Sequence, residues 1–458
     1  MRKLWLITLA LAPFASMAAL PQGGWVVEQV PTTGGLQGHP AIDVAIDSAG
    51  GTHVVVSREA GAAYLYRASA RDAWAIEELG PGLGGVNIAL DGQGRPHVLW
   101  TAWSPYVGLE MIYAAKLEDG TWQRTTIEQW PFKPSLAVDR AGVAHVVFSV
   151  SSPNWPEDLN YYVHHVVIDG GVVSDEVLGT GTSSSVTVDP QGRPHVAFTA
   201  GEGLGLNYGV ADSGAWQITH MFDSYPLGMV SIAVDGAGVP SILVTGDNYL
   251  GFLLRSDGVT WSVTPISSFY VQMQGGLLEI DRFDRLQYVS FANPSTVDLR
   301  MMDGGVFTDS FVAAGQYALA MAVDPNSGLP QVGYYSDPQS TDPSLNLARY
   351  VADATPPTIQ VAATPTVLWP PDGKMVPVTI TGSAEDAETG IASMAITISD
   401  EYGIYNMTVP GFGSTVQLPA SRDAMDRDGR AYTVTVVATD RAANHAQATT
   451  VVTVPFIL

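Results

Sequence analysis

Three residues carry the side chains that acid–base chemistry on an acidic sugar needs. His39 and Tyr106 can take up a proton, and Arg58 can pair with a carboxylate. A polysaccharide lyase uses a His or Tyr base beside such an arginine. His39, Arg58 and Tyr106 are therefore the candidate catalytic set if the chain is an enzyme. A glycoside hydrolase would need two facing carboxylates instead, and nothing in the sequence pairs any two of the acidic residues.

A second group of candidates is aromatic. Aromatic faces stack on sugar rings and anchor peptides, and they are seldom exposed without a reason. Packing of these rings between loop and sheet is the alternative. The predicted ligand-binding aromatics are Trp103, Tyr106, Trp130, Phe132, Trp155, Tyr225, Tyr270 and Tyr317.

Carboxylates near the C-terminal third of the chain suggest a metal. Asp353, Asp386 and Asp440, with Glu385 and Asn444 beside them in the sequence, are predicted to meet near a linker. Their oxygens are the hard ligands that Ca²⁺ prefers, and a bound ion would stiffen that junction. Turn carboxylates that face solvent are the alternative, so calcium is the one cofactor that the sequence suggests.

Four histidines, His53, His97, His145 and His195, recur at one position of a repeat. Imidazoles at equivalent heights invite a metal interpretation. Three further repeats place Ser or Gln at that position, and the position lies in an outer strand of each repeat rather than the innermost one. Structural histidines with satisfied ring nitrogens are therefore predicted.

The element that must position all these residues is a strand, a tight turn and a second strand. Residues 186–199 show it most clearly, with Asp189-Pro190-Gln191-Gly192 as the turn. Seven copies lie 43 to 50 residues apart, a period typical of propellers. Their aspartates are Asp47, Asp91, Asp139, Asp189, Asp235, Asp281 and Asp324.

Each repeat supplies four strands, a to d, but the seventh stops after its third at residues 352–357. An isolated strand at residues 25–30 is the missing member and is predicted to close the ring. The sequence thus predicts a seven-bladed β-propeller over residues 23–352, with a linear solenoid as the alternative. The Asp turns then share one rim, and the variable b–c and d–a loops share the other, where binding is expected.

The amino-acid composition excludes or disfavours several classes of function. The formal charge is −24 and there are four lysines, which disfavours nucleic-acid binding. The absence of cysteine excludes disulfides and thiolate metal sites. Residues 1–18 are predicted to be a secretory signal, and no membrane span is predicted. Residues 353–357 form a linker, and residues 358–458 show seven short strands typical of a β-sandwich.

Two stretches resemble known families. The phrase D-x-x-G-x-P-H-V at residues 91–98 and 189–196 resembles that of secreted bacterial propellers in the sialidase-like, Asp-box-like group. It also resembles a propeller family that includes ulvan-type polysaccharide lyases, although the Ser and Trp of the usual sialidase Asp box are absent. Residues 368–378, 428–434 and 438–440 resemble a bacterial Ig-like module, which implies a non-catalytic sandwich.

These observations predict an all-β protein, a seven-bladed β-propeller followed by an Ig-like β-sandwich. We expect a secreted, monomeric, non-catalytic protein that recognises an extracellular glycan or a cell-surface protein through the b–c/d–a face. A polysaccharide lyase or glycoside hydrolase acting on that face is the alternative, and a purely structural surface repeat is a third possibility.

Overall fold

The computed structural model describes residues 20–31, 41–58, 61–82, 84–104, 108–129, 131–154, 158, 160–201, 205–212, 214–223, 227–246, 251–266, 278–293, 296–303, 306–315, 320–336 and 344–457. Throughout these ranges the chain forms strands and no helix. It follows that no helix there is long and apolar enough to cross a bilayer. The chain divides into a first compact unit, Val27–Arg349, and a second, Leu20–Val26 with Tyr350–Leu458. The predicted signal, residues 1–18, lies outside the described residues.

The first strands along the chain build three four-stranded antiparallel sheets. An N-terminal strand, β1 (Gly23–Gln29), precedes them. Sheet 1 contains β2 (Ala41–Ile46), β3 (Thr52–Arg58), β4 (Gly61–Arg67) and β5 (Ala75–Gly80); sheet 2 contains β6 (Val86–Leu90), β7 (Pro96–Ser104), β8 (Gly108–Lys116) and β9 (Trp122–Gln129); sheet 3 contains β10 (Phe132–Val138), β11 (Ala144–Ser151), β12 (Tyr161–Asp169) and β13 (Val172–Thr180).

Four further sheets repeat this plan. Sheet 4 contains β14 (Ser184–Val188), β15 (Pro194–Thr199), β16 (Gly205–Asp212) and β17 (Ala215–Asp223); sheet 5 contains β18 (Leu227–Val234), β19 (Pro240–Gly246), β20 (Gly251–Ser256) and β21 (Trp261–Ile266); sheet 6 contains β22 (Leu278–Ile280), β23 (Leu286–Asn293), β24 (Thr296–Asp303) and β25 (Val306–Ala314). Sheet 7 contains β26 (Ala320–Val323), β27 (Pro330–Tyr335) and β28 (Leu345–Ala352), and β1 is its outer strand, in the order β1-β28-β27-β26.

The first strands of the seven sheets form a closed circle in the described part of the chain. Each contacts the first strand of the next sheet, and β26 of the last sheet contacts β2 of the first. Together they enclose a central cavity of about 340 Å³, which we call the ring channel. This arrangement of four-stranded antiparallel sheets is that of a β-propeller type of fold.

An Asp turn connects the first strand of each sheet to the second, and hydrogen bonds between residues of the turn itself hold it. The Asp189 carboxylate accepts the N–H groups of Gln191 and Arg193 at 2.9 and 2.8 Å. Gly192 follows at φ 81°, a conformation open to glycine. The turns at Asp47, Asp91, Asp139, Asp235 and Asp281 are capped in the same way by their carboxylates. The Asp324 carboxylate instead accepts the N–H groups of Asn326 and Ser327, at 2.7 and 2.9 Å.

Neighbouring sheets are joined near the ring channel by side-chain-to-backbone hydrogen bonds. In each case a polar residue four positions before the turn aspartate accepts the N–H of a residue in the next first strand. Sheets 1, 3, 4 and 5 each place such an acceptor at the same repeat position, and it satisfies a backbone donor that no ladder reaches. The pairs are Asp43 with Ile88, Ser135 with Val186, Ser185 with Ile232, and Ser231 with Leu278.

The second unit contains two sheets around one apolar core. A three-stranded sheet has the order β29 (Thr358–Thr364), β30 (Met375–Glu385), β33 (Thr415–Pro419). A four-stranded sheet has the order β32 (Asn406–Val409), β31 (Ile391–Asp400), β34 (Arg430–Asp440), β35 (His445–Val454). Alternate residues of both, such as Ile380 and Val434, are fully buried in that core.

Candidate functional site

A second cavity lies where the first strands of sheets 2 to 5 begin. It measures about 350 Å³, and we call it the mouth cavity. Because the Asp turns follow the other ends of these strands, the cavity lies on the side of the b–c loops and d–a connections. Asn87, Ser135 and Ser185 line both this cavity and the ring channel, so the two spaces meet there.

Two irregular strand starts shape the mouth cavity. The register of β10 against β11 shifts between Phe132 and Ser135, and that of β18 against β19 shifts between Leu227 and Val230. Within the first of these bulges, Lys133 adopts a φ of 49°, which is unusual for a residue other than glycine. Bulges of this kind redirect a side chain out of the regular alternation.

Lys133 is the cationic group of the mouth cavity. Its Nζ donates to the carbonyl of Gly228 at 2.9 Å and lies 5.2 Å from the ring centroid of Phe132. Sheet 4 lies between the two sheets that this bond joins, so the lysine reaches past one sheet. Burial lowers the pKa of Lys133, because desolvation disfavours the charged ammonium.

The predicted aromatic residues are placed in part. Trp103 is 53% exposed and Phe132 is 44% exposed. Phe132 lines the mouth cavity, while Trp103 pairs across the ladder with Leu109, which also lines it. Two exposed aromatic rings therefore lie at or beside one cavity. The other predicted aromatics, Tyr106, Trp130, Trp155, Tyr225, Tyr270 and Tyr317, lie outside the described residues.

Of the candidate catalytic set, only Arg58 is described. It is 4% exposed, and its guanidinium pairs with the Glu78 carboxylate of the same sheet. Burial and this ion pair therefore engage the Arg58 guanidinium within sheet 1. His39 and Tyr106 lie outside the described residues.

Two acidic residues face the ring channel. Burial raises the pKa of Asp43 to about 7, against the lowering effect of hydrogen bonds from Ile88, Val44 and Asn87. Burial also raises the pKa of Glu279 to about 8, and the charge of Asp43 adds to that shift. Both carboxyl groups therefore hold a proton more strongly than ordinary acidic side chains do.

The repeated histidines are engaged within their own sheets. His195 Nδ1 lies 2.7 Å from the Tyr208 hydroxyl, and its Nε2 lies 3.2 Å from the Asp189 carboxylate. His53 makes the equivalent contacts at 2.8 and 3.1 Å. Burial lowers the pKa of both histidines. Their ring nitrogens thus connect an Asp turn to the third strand.

The predicted calcium ligands come together in the second unit. One carboxylate oxygen from each of Asp353, Asp386 and Asp440 lies within 4.8 Å of the others. Asp353 and Asp440 are buried. Thr389 Oγ1 donates to Asp353 at 2.6 Å, and Asn444 Nδ2 donates to Asp440 at 2.9 Å. Three carboxylates in this geometry can offer oxygen ligands to a hard cation.

The sequence prediction missed Lys133. The signal was present, because Lys133 is one of only four lysines and precedes a proline at the start of a strand. Proline inside a sheet is confined to strand starts, edges and bulges, so Pro134 marks an irregular backbone at this point. What the sequence did not show is that Gly228, 95 residues later, meets the lysine.

Comparison with known proteins found structures and no sequence relatives. No family model matches the chain, and no curated protein matches it. Among solved structures, a mutant lectin of Aleuria aurantia in complex with Fucalpha1-6GlcNAc is 11% identical with a TM-score of 0.43, over 61% of this chain and 97% of that one.

Two enzymes are similar to a comparable degree. The polysaccharide lyase Uly1 is 9% identical with a TM-score of 0.43, over 71% of this chain and 92% of that one. The sialidase of Trypanosoma rangeli is 9% identical with a TM-score of 0.42, over 93% of this chain and 89% of that one. At these identities and TM-scores, the similarities carry no argument about what this chain binds.

Proposed function

We propose that this chain is a secreted, monomeric, non-catalytic binding protein that recognises an extracellular glycan through the b–c/d–a face of a seven-bladed β-propeller. The observation that carries the proposal is the mouth cavity, where the exposed ring of Phe132 adjoins Lys133 and a wall of hydroxyl groups. A concave site that combines an aromatic face with a few polar groups is the usual form of a small-ligand site.

The architecture in this proposal has its own support. Seven four-stranded sheets in a closed circle, with β1 as the outer strand of the last, support seven blades closed by the N-terminal strand. The two sheets of the second unit, with seven strands around one core, support an Ig-like β-sandwich. The charged start and apolar run of residues 1–18 support export.

The test is a glycan array probed with the full mature protein and with Phe132→Ala and Trp103→Ala. Because a central aromatic anchor carries a large share of binding energy, we expect each variant to lose about tenfold or more in affinity. Phe311→Ala is the matched control, since Phe311 is 59% exposed on β25, the fourth strand of sheet 6, and should bind like the wild type.

Three outcomes would overturn the proposal. The first is an array on which the wild-type protein binds no glycan, which would favour a protein partner. The second is unchanged glycan binding by both aromatic variants. The third is release of new reducing ends from uronic-acid polymers by the wild-type protein, which would replace a binding protein with an enzyme.

A further inference from the structure

The ammonium of Lys133 has no opposite charge beside it in the part of the chain that the structure describes. No ion pair there includes this lysine. Its contacts are a neutral carbonyl, that of Gly228, and the ring of Phe132. Among the described residues this partly buried cation therefore has only neutral contacts, although the chain has a formal charge of −24. A cation removed from water without a counter-ion is costly, and an incoming anion offsets that cost.

The local backbone holds Lys133 in this position at a cost. The positive φ of Lys133 and the adjoining register shift both place the residue outside regular strand geometry. Such conformations are unfavourable and persist where the surroundings enforce them, commonly at ligand sites. The bond to Gly228, at the second irregular strand start, is what fixes the ammonium over the cavity.

The walls of the mouth cavity suit a sugar rather than an apolar molecule. Thr101, Ser135 and Ser183 contribute hydroxyl groups to the lining. Asn87 Oδ1 and Ser184 Oγ, also on the lining, are buried without a hydrogen-bond partner among the described residues. The volume of about 350 Å³ is at the low end for small-ligand sites, which suits a terminal residue of a glycan.

We propose that the mouth cavity binds the carboxylate-bearing terminal sugar of an acidic glycan, with Lys133 as the counter-ion and the Phe132 ring against the C–H face of the sugar. This inference rests on the proposed function and deepens it, because it names the class of sugar. Hexuronic acids and sialic acids share the carboxylate, so both are tested as separate arms.

The experiment measures binding of matched ligand pairs by titration calorimetry. Each pair is an oligosaccharide ending in an acidic sugar and its methyl ester, once with a hexuronic acid and once with a sialic acid. Because a hydrogen bond to a charged group is lost with the ester, we expect at least one acid to bind about tenfold or more tightly than its ester. Lys133→Gln should remove this preference, Lys133→Arg should retain most of it, and Lys374→Gln, at an exposed lysine of the second unit, should leave it unchanged.

The outcomes separate the two proposals. Equal binding of acid and ester by the wild-type protein overturns the carboxylate assignment while leaving glycan recognition intact, and this comparison needs no variant. A Lys133→Gln protein that unfolds as the wild type does and keeps the acid preference overturns the role of Lys133. Failure of the wild-type protein to bind any of these ligands or any sugar on the array overturns the proposed function itself.

Discussion

Three carboxylates of the second unit lie close together although two of them are buried. Asp353 and Asp440 are almost fully enclosed, and the half-buried Asp386 completes the group with oxygens within 4.8 Å. Their hydrogen bonds from Thr389 and Asn444 hold the oxygens in place. The three predicted ligands thus lie close enough to offer oxygens to one cation, and calcium binding there stays a prediction.

We expect Ca²⁺ to stabilise the protein through this cluster. A ligand at one hundred times its Kd stabilises a fold by about 2.7 kcal/mol, which shifts the Tm of a domain of roughly 110 residues by about 10 °C. Differential scanning calorimetry with added Ca²⁺ and with chelator measures the shift. Asp386→Asn should abolish it, whereas Asp372→Asn, at a carboxylate paired with Lys374 outside the cluster, should not.

Weak extracellular calcium sites have Kd values of about 1 mM. A protein whose Tm and binding heat do not respond to Ca²⁺ at about ten times that level does not bind the ion here. In that case the three aspartates serve only to cap the turns around them.

In each of the seven sheets, the first strand directs a side chain toward the ring channel, and the size and charge of that side chain affect the stability of the ring. Two positions before the turn aspartate, five first strands carry alanine, β14 carries Thr187, and β22 carries Glu279. Small side chains leave room around the axis, whereas Glu279, the one acidic residue at this position, loses hydration there. This is why its ionisation is shifted while that of an exposed glutamate need not be.

Glu279 makes the free energy of unfolding depend on pH in a defined direction. An unfolded glutamate ionises near 4.3, whereas the pKa of Glu279 in the fold is about 8. The folded protein therefore holds the proton over a range where the unfolded chain has released it. This contribution to stability is complete below about pH 4 and is lost as pH rises towards 8.

We expect Glu279→Gln to be more stable than the wild type at pH 9 and equally stable at pH 4. A full shift would correspond to about 1.4 kcal/mol per pKa unit. Because Glu279 is only half-buried, we expect a gain of about 2 kcal/mol at pH 9. Urea unfolding at both pH values measures it, with Glu118→Gln, at an exposed glutamate, as the control. Equal stability of Glu279→Gln and wild type at pH 9 contradicts the shifted ionisation.

The elements were predictable from the sequence to the extent that their chemistry is local. An aspartate with apolar alternation on either side defines the Asp turns, and five of the seven carry a glycine three residues after the aspartate. Each of the seven aspartates caps a turn. The strand order of the last sheet followed from counting strands. The mouth cavity was not predictable, because its walls come from four sheets and its lysine is bonded across 95 residues. Pro134 indicates an irregular backbone from the sequence alone, but nothing in the sequence indicates that Gly228 is the partner of Lys133.

For the first unit as a whole, the seam between its first and last sheets decides whether the circle holds. Glu28 of β1 pairs with Arg67 of β4, and Arg349 of β28 lies 3.5 Å from the same carboxylate. The Arg67 side chain is almost fully buried. Asn326 and Gln331 of sheet 7 also donate to Ser48 and Thr52 on the sheet 1 side. The Glu28 carboxylate is thus the counter-ion of both Arg67 and Arg349 where sheet 7 meets sheet 1.

We expect Glu28→Ala to destabilise the protein by about 3 kcal/mol, because it leaves a buried arginine without its counter-ion. Glu28→Gln should cost less, since it keeps hydrogen-bonding capacity. Chemical denaturation followed by tryptophan fluorescence measures both, with Glu118→Ala as the control, because Glu118 is an exposed glutamate of sheet 2 whose carboxylate lies 3.7 Å from Arg95, away from the seam. An effect of Glu28→Ala no larger than that of the control contradicts a structural role for the seam.

The position of β1 also has a consequence for how the chain is made. Its partner β28 is synthesised last among the strands of the seven ring sheets, so β1 waits unpaired while the intervening strands emerge. During that interval the growing polypeptide carries an open hydrogen-bonding edge that another molecule can occupy. If the chain crosses a membrane before β1 pairs with β28, the two strands stay apart until both have crossed. If β1 remains unpaired for longer, it can pair instead with β28 of a neighbouring copy, which exchanges β1 between the two molecules.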